Sequence, residues 1–245
     1  MTRELAKPAH PTDASADAFI ARLEGEASEA ERLKYRRYFP DRHDEFIGVR
    51  MGAVFAAARD FASMDLDEVE RLLEHDAHEV RAGAVRIMAE QAKAKATTDE
   101  QLQALAALYL RRHDRIDDWD LVDLGAWEVL GRSLVHRPRD VLDELAASDD
   151  PWRRRSAITA TFAFIRRGDL DDTYRIAGRL LNDEHELVRK AVGWALRNAG
   201  DHDPERLNVF LDAHAATMPR STLRNAIEKL APEERKRLLA LGARP

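Results

Sequence analysis

Three short segments of this chain hold the residue types and spacings best suited to chemistry. The first covers residues 119–123, in which Trp119 and Asp123 are four positions apart. On a helix these two side chains stand one above the other on the same face. If Leu121 and Leu124 point into the core, that face can line a groove, where a carboxylate could stabilise positive charge or activate water. The alternative is a core tryptophan, as is usual for this residue type, beside an exposed or capping acid.

The second segment places three consecutive arginines, Arg153 to Arg155, near the start of a predicted helix. Successive helical residues point about 100° apart. We therefore expect at least one guanidinium to lie along a groove while the others stay in solvent. The planar guanidinium fork suits a phosphate group, and a helix N-terminus attracts anions. An ordinary solvated run of charge is the alternative.

The third segment surrounds Gly193 in another predicted helix. A glycine inside a helix costs about 1 kcal/mol relative to alanine, so a neighbouring helix or a ligand should approach it closely. Lys190, Trp194 and Arg197 share one face of this helix, at spacings of four and three. A buried tryptophan is rarely flanked by two cations on its own stripe, which favours a position on a groove wall over one in the core.

Two weaker candidates lie in the N-terminal half. His75 and His78 are three residues apart, but no further metal ligands accompany them, so we predict solvated histidines and no metal site. Tyr35 with Arg36 and Arg37 forms a small basic and aromatic patch, suited either to a nucleic-acid backbone or to an ordinary helix surface. Glycine-rich phosphate loops and serine nucleophile motifs are absent from the sequence.

The elements that must position these residues are helices. Apolar residues recur at three- and four-residue spacing along most of the chain, and strand patterns are nearly absent. Arg81, Arg153 and Arg189 are spaced by 72 and 36 residues, and a period near 36 is long enough for two antiparallel helices. We therefore predict an all-α superhelix of HEAT-like repeats with a concave binding groove. We predict that residues 1–28 form a partly disordered segment or a short helix and that residues 29–245 form a single HEAT-like repeat domain.

Composition excludes several classes of protein. The chain has 245 residues and no cysteine, which rules out disulfides, thiolate zinc sites and iron–sulfur ligation. No segment reaches the length of about 20 apolar residues that a membrane helix needs, and the first 16 residues lack a signal-peptide core. The net charge is −6, divided between −9 in residues 1–130 and +3 in residues 131–245. A one-sided phosphate-binding face is therefore possible in a cytoplasmic protein.

Four segments, in this order, resemble the AlkD-type alkylpurine DNA glycosylases, a DNA alkylation repair family built from HEAT-like repeats. The likeness extends over residues 30–231, and its four segments are 119–123, 152–158, 190–197 and 218–230. Two departures are the extra sequence at residues 40–45 and the acidic N-terminal half. We expect the acidic N-terminal half to affect the affinity for undamaged DNA more than the catalytic chemistry.

The resemblance implies a set of site residues. It implies that Trp119, Asp123, Arg155 and Trp194 line the lesion site, with Tyr35 as a further aromatic. We expect Arg155 to hold a DNA phosphate, together with three other cations, Arg154, Lys190 and Arg197. The expected partner is duplex DNA containing alkylated bases, bound by a monomer without metal or cofactor, in the cytoplasm and on the nucleoid.

The implied activity is hydrolysis of the N-glycosidic bond of N3- or N7-alkylated purines, as in base excision repair. Asp123 would stabilise the cationic sugar and orient or deprotonate the attacking water. The resemblance further implies that the lesion lies against an open groove, without a base-flipping pocket. Two other interpretations remain open: a non-catalytic HEAT-like protein that binds damaged or branched DNA, and a protein–protein scaffold.

Overall fold

The structure, a computed structural model, describes residues 14–39 and 45–241. Within these ranges the chain is helical, and its extended pairing is limited to one bridge between Glu45 and Ala77. The predicted all-α class is confirmed. The chain forms two compact units, of which the first ends at Val129 and the second begins at Leu130.

The first unit is built from seven α-helices of its described residues, followed by a π-helical segment, Ala126–Gly131, that leads into the second unit. These helices are α1 Ala16–Glu24, α2 Glu29–Tyr38, α3 Met51–Asp60, α4 Leu66–Leu73, α5 His78–Lys93, α6 Asp99–Arg111 and α7 Trp119–Gly125. The described helices of the second unit are α8 Asp140–Ala146, α9 Pro151–Ala160, α10 Phe162–Ile165, α11 Asp171–Leu180, α12 Glu186–Gly200, α13 Pro204–His214, α14 Arg220–Ala226 and α15 Pro232–Leu241.

Helix α1 lies inside the N-terminal segment 1–28 that the sequence sets apart. Its Phe19 and Leu23 are fully buried, and the Phe19 ring packs edge-on against Phe61 with 5.3 Å between centroids. This helix therefore contributes to the core of the first unit. Residues 1–13 lie outside the described part of the chain.

Helix α5 is the centre of the first unit. Helices α3, α4 and α7 pack against it, and apolar and polar side chains on nearly every face of α5 are buried. Gly83 also lets the Phe19 ring of α1 pack closely on α5, because a Cβ at this position would lie 2.4 Å from that ring. Packing from several sides explains why polar residues at the start of α5 are buried together with its apolar ones.

Helix α12 is the centre of the second unit, as α5 is of the first. Four helices pack against it: α9, α11, α13 and α14. A Cβ at Gly193 would lie 2.6 Å from the carbonyl oxygen of Thr222 and 2.6 Å from the Cβ of Asn225. Close approach of α14 therefore requires this glycine, which is one of the two reasons that the sequence suggests.

The predicted repeat corresponds to helix pairs such as α4–α5 and α11–α12. Within it, Arg154 and Arg189 make the same contact: each guanidinium donates to backbone carbonyls five and six residues earlier. The distances are 2.9 and 3.0 Å for Arg154, and 2.7 and 2.6 Å for Arg189. The equivalent of Arg189 is therefore Arg154, 35 residues away, and not Arg153, which the sequence pattern favoured. Both arginines satisfy carbonyl groups of the turn that precedes a helix.

Candidate active site

Helix α7 orients the residues that its sequence singles out. Asp118 precedes the helix with an extended backbone, and its carboxylate accepts the N–H of Trp119 at 2.6 Å. Leu121 and Val122 are fully buried, whereas Trp119 and Asp123 are half-buried. The helix therefore presents the indole and the carboxylate on its outer side, and the alternative of a core tryptophan is wrong.

A cleft of about 580 Å³ opens beside this side of α7, with α2 and α3 as its other walls. Its lining combines aromatic, apolar and charged side chains: Glu31, Lys34, Tyr35, Tyr38, Phe39, Arg50, Met51, Phe55, Trp119, Asp120, Asp123 and Leu124. The size is within the range of about 300–1,000 Å³ typical of small-molecule sites. Leu124, expected in the core, is half-buried and lines the cleft instead.

Tyr35 is held firmly on the α2 side of the cleft. Its hydroxyl donates to the carbonyl oxygen of Val49 at 2.8 Å, and its ring stacks on Phe46 with 5.4 Å between centroids. Burial raises the pKa of the phenol well above its ordinary value, and the nearby Glu79 carboxylate acts in the same direction. Tyr35 is therefore a neutral, anchored ring at physiological pH, in the same cleft as Trp119 and Asp123.

Glu79 fixes the backbone on which Tyr35 rests. The side chain is fully buried, and its carboxylate accepts the N–H groups of Ile47, Gly48 and Val49 at 3.2, 2.7 and 3.3 Å. Gly48 has a φ of +94°, a conformation that favours glycine, and a Cβ there would also lie 2.3 Å from a backbone oxygen of α2's N-cap residue. A buried carboxylate thus holds the segment before α3 in a single conformation.

His78 supports the cleft from behind. It is fully buried, and its Nε2 lies 2.7 Å from Oδ2 of Asp120, which lines the cleft. The rings of Phe39 and Phe46 pack against the imidazole at 5.2 and 5.8 Å. The sequence-based prediction of a solvated histidine is therefore wrong for His78. Local sequence could not show its burial, because the aromatic residues that bury it come from a distant part of the chain. His75 is half-buried, and its Nδ1 accepts the N–H of Ala77 at 3.0 Å.

Charged side chains are unevenly placed in the cleft. The carboxylate of Glu31 accepts from Lys34 at 2.6 Å and from Arg50 at 3.0 Å, so both cations of the lining contact the same acid. The Lys34 hydrogen bond holds the pKa of Glu31 below its ordinary value. The other two carboxylates, Asp120 and Asp123, come from α7. With three acids and two bases, the lining has a net formal charge of −1.

The arginines of α9 lie in the second unit, and two of the three are buried. Arg154 is 8% exposed, and its guanidinium pairs with both carboxylate oxygens of Asp183, at 2.6 and 3.0 Å. Arg155 is 5% exposed and donates to the carbonyl oxygen of Leu187. The expectation that the arginines outside the groove stay in solvent is therefore wrong for Arg154. Arg154 is committed to internal contacts, which leaves it poorly suited to a phosphate.

The outer side of α12 carries the other residues predicted for the second unit. Trp194 is half-buried against Phe162, with 4.2 Å between ring centroids. Lys190 pairs with Glu186 at 2.7 Å, and Arg197 pairs with Glu228. Both acids are largely exposed, so these pairs are weak and open to exchange with another anion.

Comparison with known proteins identifies the family. A family model described as DNA alkylation repair enzyme matches residues 19–230. The chain belongs to this family. Its fold is similar to that of a solved structure, the predicted DNA alkylation repair enzyme from Enterococcus faecalis. The two share 16% identity with a TM-score of 0.67, over 84% of this chain and 98% of that one. No curated protein matches the sequence.

Membership of the DNA alkylation repair family supports a role in DNA repair, with DNA as a partner. Across residues 14–39 and 45–241, no three His, Asp or Glu side chains converge in a way that would hold a metal ion. In the same part of the chain, no helix is both long and apolar enough to cross a bilayer.

The structure of this family member brings three predicted site residues together: Tyr35, Trp119 and Asp123 line one cleft of the first unit. Arg155, Trp194 and the other predicted cations belong to the second unit. Sequence reasoning missed Glu79 and His78, which shape the cleft from beneath. The sequence offered one signal for these two residues: they are adjacent polar residues at the start of a helix, next to apolar positions of the repeat. That pattern fits a solvated pair as well as a buried one.

Proposed function

We propose that the protein is a DNA glycosylase that hydrolyses the N-glycosidic bond of N3- or N7-alkylated purines in duplex DNA. The observation that carries this proposal is the placement of Asp123 beside Trp119 in an aromatic cleft of a DNA alkylation repair family member. Family membership supports alkylated DNA as the substrate, and the cleft supplies a carboxylate and an electron-rich ring suited to a cationic substrate.

The chemistry needs stabilisation of positive charge more than it needs a proton donor. An N3- or N7-alkylated purine is already cationic and leaves as a neutral base, while the sugar becomes an oxocarbenium-like cation. The Asp123 carboxylate is proposed to stabilise that cation and to orient or deprotonate the water that attacks the anomeric carbon. The indole of Trp119 contributes about 0.5–2 kcal/mol by cation–π attraction to the same charge.

The second unit is proposed to contact the DNA. Lys190 and Arg197 are suited to phosphate because their exposed acidic partners can be exchanged for a phosphate group. Arg155 remains a proposed phosphate contact because the family resemblance implies that it lines the lesion site. Trp194 is proposed to contact the lesion from α12. Arg154 is left out of the proposal because of its internal partners.

The test is release of free base from a methylated duplex by the wild-type protein. The proposal predicts 7-methylguanine or 3-methyladenine in the supernatant and an abasic site in the DNA, with no release from the unmethylated duplex. Salt-dependent DNA binding without base release would refute the glycosylase and favour a non-catalytic DNA-binding protein. Absence of salt-dependent binding would refute both, because neutralising phosphates must release counterions, and would favour a protein–protein scaffold.

A further inference from the structure

Most basic side chains in the described part of the first unit form salt bridges with acids of the same unit. Arg36 and Arg37 are exceptions, because both are exposed and neither has an acidic partner among the described residues. The other exceptions in the described part of this unit are Arg59 and Lys95, which are not adjacent to each other. The first 130 residues carry a net charge of −9, so two neighbouring unpaired guanidiniums there form a local site that attracts an anion from outside the chain.

Both arginines lie in the last turn of α2, where the helix dipole favours a cation. The last turns of α1, α4, α5 and α6 also hold a base, and in each of these helices the base pairs with an acid. These paired bases are Arg22, Arg71, Lys93 and Arg111. The dipole therefore accounts for cations at the end of α2 but not for their lack of acidic partners, which leaves both guanidiniums available to an external anion.

Helix α2 is firmly attached to the first unit although none of its residues is buried. Tyr35 anchors the helix through its hydrogen bond to the carbonyl oxygen of Val49 and its stacking on Phe46. Just before the helix, the N–H of Ser28 donates to the carbonyl oxygen of Gly48 at 2.9 Å. A surface element that is already fixed loses little conformational freedom when it binds a partner.

The two arginines come directly before a residue of the cleft that contains Asp123. Tyr38 lines that cleft, and at 66% exposure it is unusually accessible for so large a side chain. Its ring contacts that of Trp119, with 6.5 Å between the centroids. The end of α2 therefore combines two unpaired cations with an exposed aromatic ring at the rim of the proposed reaction site.

We propose that the end of α2, residues 36–38, is a DNA contact of the first unit. Arg36 and Arg37 bind phosphates that flank the lesion, and the ring of Tyr38 packs against an adjacent deoxyribose. The inference rests on the DNA-binding part of the proposed function and adds a contact to those proposed for the second unit. The planar guanidinium fork suits a phosphate, and contacts to phosphate and sugar orient a protein on a duplex without reading its bases. This contact requires no base to leave the stack.

Salt-dependent binding to a short duplex with one tetrahydrofuran residue, a stable analogue of an abasic site, tests the phosphate contacts without base release. The double variant Arg36→Gln, Arg37→Gln should lower the slope of log K against log salt concentration by about 2, at roughly 0.9 for each lost contact. The matched control, Arg59→Gln with Lys95→Gln, removes two exposed unpaired charges of the same unit, and Arg59 is also in the last turn of a helix. This control should keep a slope near that of the wild type.

Two results would overturn the inference. The first is a wild-type slope in the double variant of α2. The second is an equal reduction of the slope in both double variants, since the total charge of the unit would then determine the slope and no contact by α2 would be needed.

Variants of Tyr38 test the sugar contact in the same titrations. Tyr38→Leu keeps apolar bulk without the ring and should bind about fivefold more weakly at every salt concentration. The slope should stay at the wild-type value, because a ring packed on a sugar releases no counterion. Tyr38→Phe keeps the ring and should bind as the wild type does. Binding by Tyr38→Leu at wild-type strength would refute the contact assigned to the ring.

The two proposals fail separately. Base release by the wild type, together with an unchanged slope in the double variant of α2, would leave the glycosylase standing and overturn the α2 contact. A reduced slope in that variant, with no base release by the wild type, would support the α2 contact and refute the glycosylase.

Discussion

Three carboxylates of the first unit differ in what surrounds them, and this decides what each can do. Glu79 is fully buried and bound by three backbone N–H groups, so it serves the fold. Asp120 lines the cleft but is tied to the imidazole of His78 at 2.7 Å. Asp123 lines the cleft one helical turn from Trp119 and is half-buried. The proposed function assigns the cationic reaction centre to Asp123, the carboxylate that shares the cleft with the nearby indole of Trp119.

Tyr174 in the second unit gives a prediction about pH and stability. Its hydroxyl is buried without a hydrogen-bond partner among the described residues, and burial raises the pKa of the phenol to about 12. A raised pKa means that the contribution to stability is present below the ordinary pKa of about 10 and is lost as the pH rises through 12. Tyr174→Phe should therefore match or exceed the wild-type Tm at neutral pH and lose less stability between these two pH values.

Thermal denaturation over a series of alkaline pH values measures both effects of Tyr174→Phe. Removing an unpaired buried hydroxyl is neutral or stabilising by up to about 1 kcal/mol. A variant that is clearly less stable at neutral pH would show that the hydroxyl has a partner. One that loses stability as steeply as the wild type above pH 10 would show that burial does not raise the pKa of the phenol.

The spacing of Trp119 and Asp123 was enough to predict that they share a face, because four residues make about one helical turn. The burial of His78 could not be predicted in the same way. Phe39 and Phe46, which pack on its ring, are more than thirty residues away in the sequence. Local patterns report which face of a helix a residue occupies, but they do not report what packs against that face.

Among the elements, α12 gives the sharpest test of packing. Gly193 has no room for a Cβ against α14, whereas Gly178 in α11 has nothing within 4 Å of the position that a Cβ would take. Gly193→Ala should lower the stability by about 1–3 kcal/mol through overpacking. Gly178→Ala should raise it by about 0.5–1 kcal/mol, because alanine loses less backbone entropy in a helix.

Chemical denaturation of these two variants measures the difference, each serving as the control for the other. Equal stabilities would show that α12 and α14 do not approach each other as closely as the structure has them.

The helices were predictable because their apolar residues recur at a regular spacing. Close packing against Gly193 was predictable as well, because a glycine inside a helix is unfavourable unless a neighbour needs the space. The register of the repeat was not, because three adjacent arginines offer three equivalent choices. Only the carbonyl contacts shared by Arg154 and Arg189 distinguish among them. The π-helical segment Ala126–Gly131, directly after α7, also had no signal in the apolar pattern.

At the scale of the whole molecule, charge decides where DNA phosphates are expected. The first 130 residues carry a net charge of −9 and the remainder +3. We therefore expect Lys190 and Arg197 to contribute to the salt dependence of DNA binding. Replacing both with glutamine should reduce the slope of log K against log salt concentration by about 2, at roughly 0.9 for each lost phosphate contact.

Binding titrations over a range of salt concentrations measure this slope, with Lys236→Gln, at an exposed residue of α15, as the matched control. The control should leave the slope unchanged. A double variant with the wild-type slope would mean that the outer side of α12 does not contact phosphate.

The proposed catalytic role of Asp123 is tested most directly by the single-turnover rate of base release from methylated duplex DNA. Asp123→Asn keeps the size of the side chain and removes its charge, so release should fall by about 100-fold or more while DNA binding and Tm stay near wild type. Asp60→Asn, at another half-buried aspartate of the first unit outside the cleft lining, should release base at the wild-type rate. Release by Asp123→Asn at the rate of the wild type would contradict the account.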